Sequence, residues 1–249
     1  MTTAKDFQIA PDSLAGKTIL VTGAGDGIGR SAALTYAACG ATVLLLGRTE
    51  SKLDKVYDEI EAAGGAQPAI LPVDLATFDE PQAQTLAATL VDNFGRLDGL
   101  LHNASILGER RPFASAGYQP WCDVMQVNVN AQFLLTRCLL PLLSAAPAAS
   151  VVFTSSGVGR NGRAYWGAYA ASKFATEGMM QVLADELENT SQIRVNSLNP
   201  GATNTAMRRS AYPGETPTDN PSPAQIMPAY VYLMSDASVG VTGQAINAQ

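Results

Sequence analysis

Short apolar runs alternate along this chain with longer stretches of helical period, and no other feature constrains the fold as strongly. Residues 17–22 (KTILVT), 41–47 (ATVLLLG), 66–73 (AQPAILPV), 97–103, 150–155 and 193–199 read as strands. Residues 27–39, 50–63, 79–94, 119–143 and 167–188 read as helices. A further helix is expected at 223–234 and a seventh strand at 241–246. Thr49 is placed to cap the second helix, Gly64-Gly65 to stop it, and Pro81 falls in the first turn of the third. A strand that is apolar at every position must be covered on both faces. A helix between successive strands supplies the crossover that a parallel sheet requires. The pattern predicts an α/β chain, a doubly wound parallel sheet of about seven strands with helices on both faces. Ligands bind such sheets beyond the carboxyl ends of the strands.

Residues 203–221 break the alternation. They hold Pro213, Pro217 and Pro221, and read either as a mobile flap beside the site or as a surface loop. Composition removes several functions. The chain of 249 residues has 16 basic and 22 acidic side chains, a net charge of −6. General binding to nucleic acid or to an anionic membrane is therefore not expected. A few local arginines would still suffice for a small anion. His102 is the only histidine, which excludes mechanisms and metal centres that need two. Cys39, Cys122 and Cys138 lack C-x-x-C spacing, so no metal site or disulfide framework is expected. No apolar run reaches the roughly 18 residues of a membrane span. The first 17 residues carry charges and a proline, which is not the pattern of a secretory leader. A cytoplasmic location is the expectation.

After the first strand stands TGAGDGIG, with Gly23, Gly25, Gly27 and Gly29 around Asp26 and Ile28. A glycine turn between a strand and a helix lets backbone amides approach a pyrophosphate, and the helix dipole favours its charge. The strict G-x-G-x-x-G spacing is absent, as is a P-loop lysine. About 20 residues on, where an NAD site places an acid for the ribose 2′-hydroxyl, the second strand ends in Gly47-Arg48. Arg48 with Thr49 suits a 2′-phosphate and favours NADP(H) over NAD(H). A solvated arginine at a helix start is the plainer alternative. Asp26 and Glu50 put negative charge nearby.

Tyr169 and Lys173 lie four apart in YAASK, on one face of a helix. A neighbouring ammonium lowers the pKa of a phenol from its usual 10 or so, toward values useful for proton transfer. Alone, such a pair is also compatible with a packed tyrosine beside a solvated lysine. The ordered set is far more specific: TGAGDGIG, then HNAS after the fourth strand, Asn128 in NVN, Ser156, YAASK, and Asn199-Pro200-Gly201. In this combination the chain resembles the short-chain dehydrogenase/reductase family, over about residues 15–245. The segments LLGRTESKL and MPAYVYLMSD…VTGQ are especially similar to a bacterial subgroup of short-chain oxidoreductases.

The resemblance implies one Rossmann-type domain over 1–249 that carries its own substrate pocket. It makes Tyr169 the general acid/base and has Lys173 lower its pKa and bind the nicotinamide ribose. Ser156 would orient the substrate carbonyl or alcohol, and Asn128 would shape its helix to hold a proton-relay water. Gly23, Gly27 and Gly29 match cofactor glycines, and Asp74 and Leu75 match positions near the adenine. Asn103, with Ala104 and Ser105, matches the cofactor cleft. Pro200, Gly201, Thr203 and Thr205 match the nicotinamide side. Two positions depart from the family's N-N-A-G: His102 and Ser105. A lone histidine at a strand end reads as a packed residue. Leu107, Val158, Trp166, Met207 and Tyr212 are candidates for a mostly apolar substrate pocket. Arg160 and Arg163 are either solvated or set to meet an anionic group. Ala171, Ala175 and Gly178 would let helices of two copies approach, as in the family's homodimers and homotetramers. The implied activity is NADP(H)-linked reduction of a small-molecule carbonyl, or the reverse. An NADP(H)-sensing regulator on the same fold is the alternative.

Overall fold

The computed structural model describes residues 4–249. Seven strands form one sheet: β1 (Thr18–Thr22), β2 (Thr42–Gly47), β3 (Ala69–Pro72), β4 (Gly99–His102), β5 (Ser150–Thr154), β6 (Arg194–Asn199) and β7 (Ala245–Asn247). The order is β3-β2-β1-β4-β5-β6-β7, and every pairing is parallel. Alternate residues explain the uniform greasiness of the strands. Ile19, Val21, Val43, Leu45, Leu101 and Val152 enter one core, with α1 (Gly27–Ala38), α2 (Glu50–Ala62) and α8 (Met227–Met234). Leu20, Leu44, Leu46, Leu100, Val151 and Phe153 enter the other, with α3 (Glu80–Phe94), α5 (Ala131–Ser144) and α6 (Gly167–Leu187). Burying both faces stabilises the sheet by about 25 cal/mol per Å² of apolar surface.

Chain order reverses between β1 and β4, which opens a crevice at their carboxyl ends. Thr22 closes its floor. The Thr22 hydroxyl accepts the N–H groups of Asn103 (2.9 Å) and Ala104 (3.0 Å) and donates to the carbonyl of Leu101 (3.2 Å).

Several boundaries differ from the sequence reading. The helix expected over 119–143 is three pieces: α4 (Tyr118–Met125), a π turn (Gln126–Asn130) and α5. The buried Asn128 side chain pins that turn to Ile106 and Ser172. The seventh strand begins at Ala245 rather than 241, because Gly240 (φ 84°) and Gly243 (φ 68°) turn the chain there. The third strand starts at Ala69, after Pro68, which has no N–H to donate to a ladder. The fourth is also shorter than expected. The last helix opens as a tight turn over Pro223–Ile226, and α8 follows with Pro228 in its first turn. Thr49 occupies the position before α2 but makes no side-chain cap bond. By contrast, Asp79 and Gln82 form a reciprocal capping box on α3. Residues 203–221 contain α7 (Ala206–Ala211), capped by the Thr205 hydroxyl, and a single turn at Pro217–Asp219. Among the described residues no helix is long and apolar enough to cross a membrane.

Candidate active site

A cleft of about 560 Å³ runs from the glycine turn to Tyr169. At its first end Gly23 is left-handed (φ 68°), and a side chain there would crowd the backbone of Ala104. A Cβ on Gly29 would fall on the carbonyl oxygen of Gly23, so this glycine permits close helix-to-turn packing and does not itself face the cleft. Gly25, Asp26, Gly27 and Ile28 do line it, as do Arg48, Thr49, Asp74 and Leu75. Asp26 caps α1 through the N–H of Gly27 (2.8 Å) and pairs with Lys52 (2.5 Å). The hydrogen bond from Lys52 holds the Asp26 carboxyl below its usual range. The negative charge seen beside the glycine turn is thus offset within the cleft wall. Arg48 is exposed and has no ion-pair or hydrogen-bond partner among the described residues. Lys52, missed in the sequence, lies one turn into α2 and adds a second cation there. Its place in the first turn after Arg48-Thr49 was the available signal.

This end fits a phosphorylated dinucleotide: an open glycine cradle, a helix N-terminus whose first residues line the cleft, and an uncommitted guanidinium beyond β2. Asn103, Ala104, Ser105, Pro200, Gly201, Thr203 and Thr205 line the middle.

At the far end Tyr169 is buried in the wall beside Ser156. Burial pushes its phenol up to about 12, opposed by hydrogen bonds from the Ser156 and Ser105 side chains. Ser105, which stands in place of the family's glycine, lines the same cleft as the tyrosine. Lys173 lies behind the wall, 1% exposed, with its ammonium 5.6 Å from the Tyr169 ring centroid. It donates to the carbonyl of Thr154 (2.7 Å), which leaves two N–H groups uncommitted. Burial lowers it to about 8, opposed by Glu177. Glu177 is a buried carboxylate that sequence reasoning missed. It accepts from Ser155 (2.6 Å), Ser197 (2.6 Å) and Arg160 (3.0 Å). Its i+4 spacing from Lys173 was the only hint. Arg160 also binds Asn247 and the carbonyl of Ile246, so it is a structural clamp and neither solvated nor free for an anion.

Asn128 likewise lies behind the cleft. Its Oδ1 accepts from the N–H of Ile106 (2.9 Å), and its Nδ2 donates to the Ile106 carbonyl (2.9 Å) and the Ser172 hydroxyl (3.0 Å). The side chain is fully used in joining the π turn to the loop after β4 and to α6. Of the proposed pocket residues, Leu107, Trp166 and Met207 line the cleft, and Val158 and Tyr212 pack with them and Tyr169 in one cluster.

His102 is wholly buried, stacked on Phe153 at 4.7 Å. The Thr136 hydroxyl spends its proton on the carbonyl of Gln132 (2.8 Å). It can therefore only accept from His102 Nε2 (2.8 Å), and Nδ1 is left without a partner. Burial, and then the Lys173 charge, lower the imidazole to about 3.

A profile of the family described as short chain dehydrogenase matches residues 17–216. The chain is 56% identical to the oxidoreductase YciK of Escherichia coli K12 over 243 residues, 98% of this chain and 96% of that protein. Its fold superposes with a TM-score of 0.94 on a short chain dehydrogenase of Shigella flexneri 2a crystallised with NADP. That match has 56% identity and covers 96% of this chain and 100% of the other. A short chain dehydrogenase of E. coli CFT073 crystallised with NADPH gives a TM-score of 0.94 at 56% identity, covering 96% and 99%.

Proposed function

The chain belongs to the short-chain dehydrogenase family, and from that premise we propose that it is an NADP(H)-dependent oxidoreductase that interconverts a carbonyl compound and an alcohol. The carrying observation is the buried Tyr169 phenol beside Ser156, with the Lys173 ammonium directly behind it. The NADP and NADPH complexes of the two similar structures, together with unpaired Arg48, support the choice of cofactor. When bound, NADPH supplies the hydride that reaches the carbonyl carbon. Ser156 donates a hydrogen bond to the carbonyl oxygen, and the Tyr169 hydroxyl gives that oxygen its proton. With its phenol near 12 in the free chain, Tyr169 is fully protonated at neutral pH, the form needed for reduction. Lys173 stabilises the phenolate left behind. Its uncommitted N–H groups are the ones that would meet ribose hydroxyls. The π turn at Asn128 frees a carbonyl from the regular helical ladder, suited to hold the water that returns a proton.

Residues 203–221, closed at their base by the bond from Asn204 N–H to the Pro221 carbonyl (2.9 Å), act as the movable cover of this end. Phe174 and Val182 lie exposed on α6 beside Gly178, which supports a homodimer or homotetramer built on that helix. A chain that only sensed the cofactor has no use for a Ser156/Tyr169/Lys173 set with its tyrosine and lysine buried. Tyr169→Phe is expected to abolish NADPH-linked turnover across a panel of ketones, aldehydes and alcohols while NADPH still binds. A near-normal rate in this variant overturns the assignment.

A further inference from the structure

Beside the substrate end of the cleft, where Arg208 lines the wall, lies an excess of positive charge that the proposed chemistry does not use. Tyr212 stands among three guanidiniums. Arg208 lies 3.9 Å from its ring centroid, Arg110 lies 4.9 Å from it, and Arg163 donates to its hydroxyl (3.0 Å). Each arginine comes from a different segment: the loop after β4, the loop after β5, and α7. Convergence of two loops and a helix on one ring is set by the fold, not by a local run of charge. Only one carboxylate answers them. Glu215 takes Arg208 through two bonds, and Glu109 takes the neighbouring Arg111. Among the described residues Arg110 and Arg163 have no ion-pair partner, in a chain whose net charge is −6.

The second observation is Trp166. It lines the cleft, is 7% exposed, and its indole N–H is buried with no acceptor. Arg110 lies over the same indole at 4.7 Å, and the Trp166 ring centroid is 5.7 Å from that of Tyr169. The residue before it, Tyr165, has a left-handed backbone (φ 71°), a strained state for a bulky side chain that tends to occur beside functional sites. A buried donor without a partner costs free energy. One aromatic ring thus separates the proton donor Tyr169 from the uncommitted guanidinium of Arg110.

We propose that this rim is an anion-recognition subsite, and that the substrate is a carbonyl compound with a carboxylate held about one aromatic ring away from the reacting carbon. Arg110 and Arg163 bind the carboxylate, and Trp166 and Tyr212 flank the spacer. The proposal rests on the oxidoreductase reading for its chemistry, but not for the binding it requires. The reaction remains a two-electron reduction. The carbonyl carbon gains the hydride, its oxygen gains the Tyr169 proton, and NADPH leaves as NADP⁺.

The test compares 4-carboxybenzaldehyde with its methyl ester, using NADPH. The wild type is expected to favour the acid in kcat/KM. Arg110→Gln and Arg163→Gln should each lower the acid-to-ester ratio by about tenfold or more, as loss of a charged hydrogen bond implies. NADPH binding by each variant confirms that it is folded. In parallel, titration calorimetry follows terephthalate binding to the NADPH complex. Turnover with an acid-to-ester ratio that neither variant moves overturns the subsite and leaves the oxidoreductase reading intact. Terephthalate binding that both variants lose, with no aldehyde turned over, supports the subsite and overturns that reading.

Discussion

Acidification should destabilise this protein through one histidine. His102 is fully buried, and its imidazole is held near 3 against an ordinary 6.5. Its Nε2–H is committed to Thr136, so a second proton must go to Nδ1, which has no acceptor and feels the Lys173 charge. The folded chain therefore keeps a neutral ring while the unfolded chain protonates it below about 6.5. A depressed histidine pKa means that stability is complete above 6.5 and is lost as pH falls toward 3. Between those limits the unfolded state holds one extra proton, a slope approaching 1.4 kcal/mol per pH unit. By pH 5 the accumulated loss is about 2 kcal/mol, a large share of the 5–15 kcal/mol typical of a folded protein. Urea melts between pH 7.5 and 5 measure it, in a window above the range where most carboxylates titrate. His102→Asn should flatten the slope whatever it does to absolute stability. The wild-type ring proton signals should not titrate over the same range by NMR. Equal slopes in the two proteins, or a titrating histidine near 6, refute the reasoning.

Two further outcomes are expected. Arg48→Ala should weaken NADPH much more than NADH, by about 10- to 150-fold if one charged hydrogen bond of roughly 1.5–3 kcal/mol is lost. Equal losses for both cofactors in a fluorescence titration would contradict a 2′-phosphate contact. Gly29→Ala places a methyl group on the Gly23 carbonyl, so α1 must move. It should cost about 1–3 kcal/mol in denaturant melts and weaken both cofactors together. An unchanged melt with normal binding would show that the turn is looser than its geometry indicates.

Much of the fold was legible because its causes are local. The apolar strands sit where their runs stand, and the glycine turn, Arg48, Ser156 and Tyr169 line one cleft as their order implied. The misreadings share a physical origin. The helical period of 119–143 is real, but an amide at Asn128 tethered to Ile106 and Ser172 draws one turn into a π turn. Nothing in the period records that tether. The glycines at 240 and 243 were visible, yet only pairing with β6 decides where the seventh strand starts.

The sequence by itself determined the architecture, since burying strands on both faces admits few arrangements. It also determined that Tyr169 and Lys173 share one helix face, since they lie four residues apart. Which charges remain free was decided only by tertiary structure. Arg160 and Arg163 are three residues apart in one loop, yet Arg160 is clamped on Glu177 while Arg163 reaches Tyr212 without a carboxylate. Asp26 is matched by Lys52, 26 residues away. His102 owes its low basicity first to burial and then to the charge of Lys173, which α6 brings close. Charge depends on distance and burial in space, and those are fixed only when segments remote in the chain pack together.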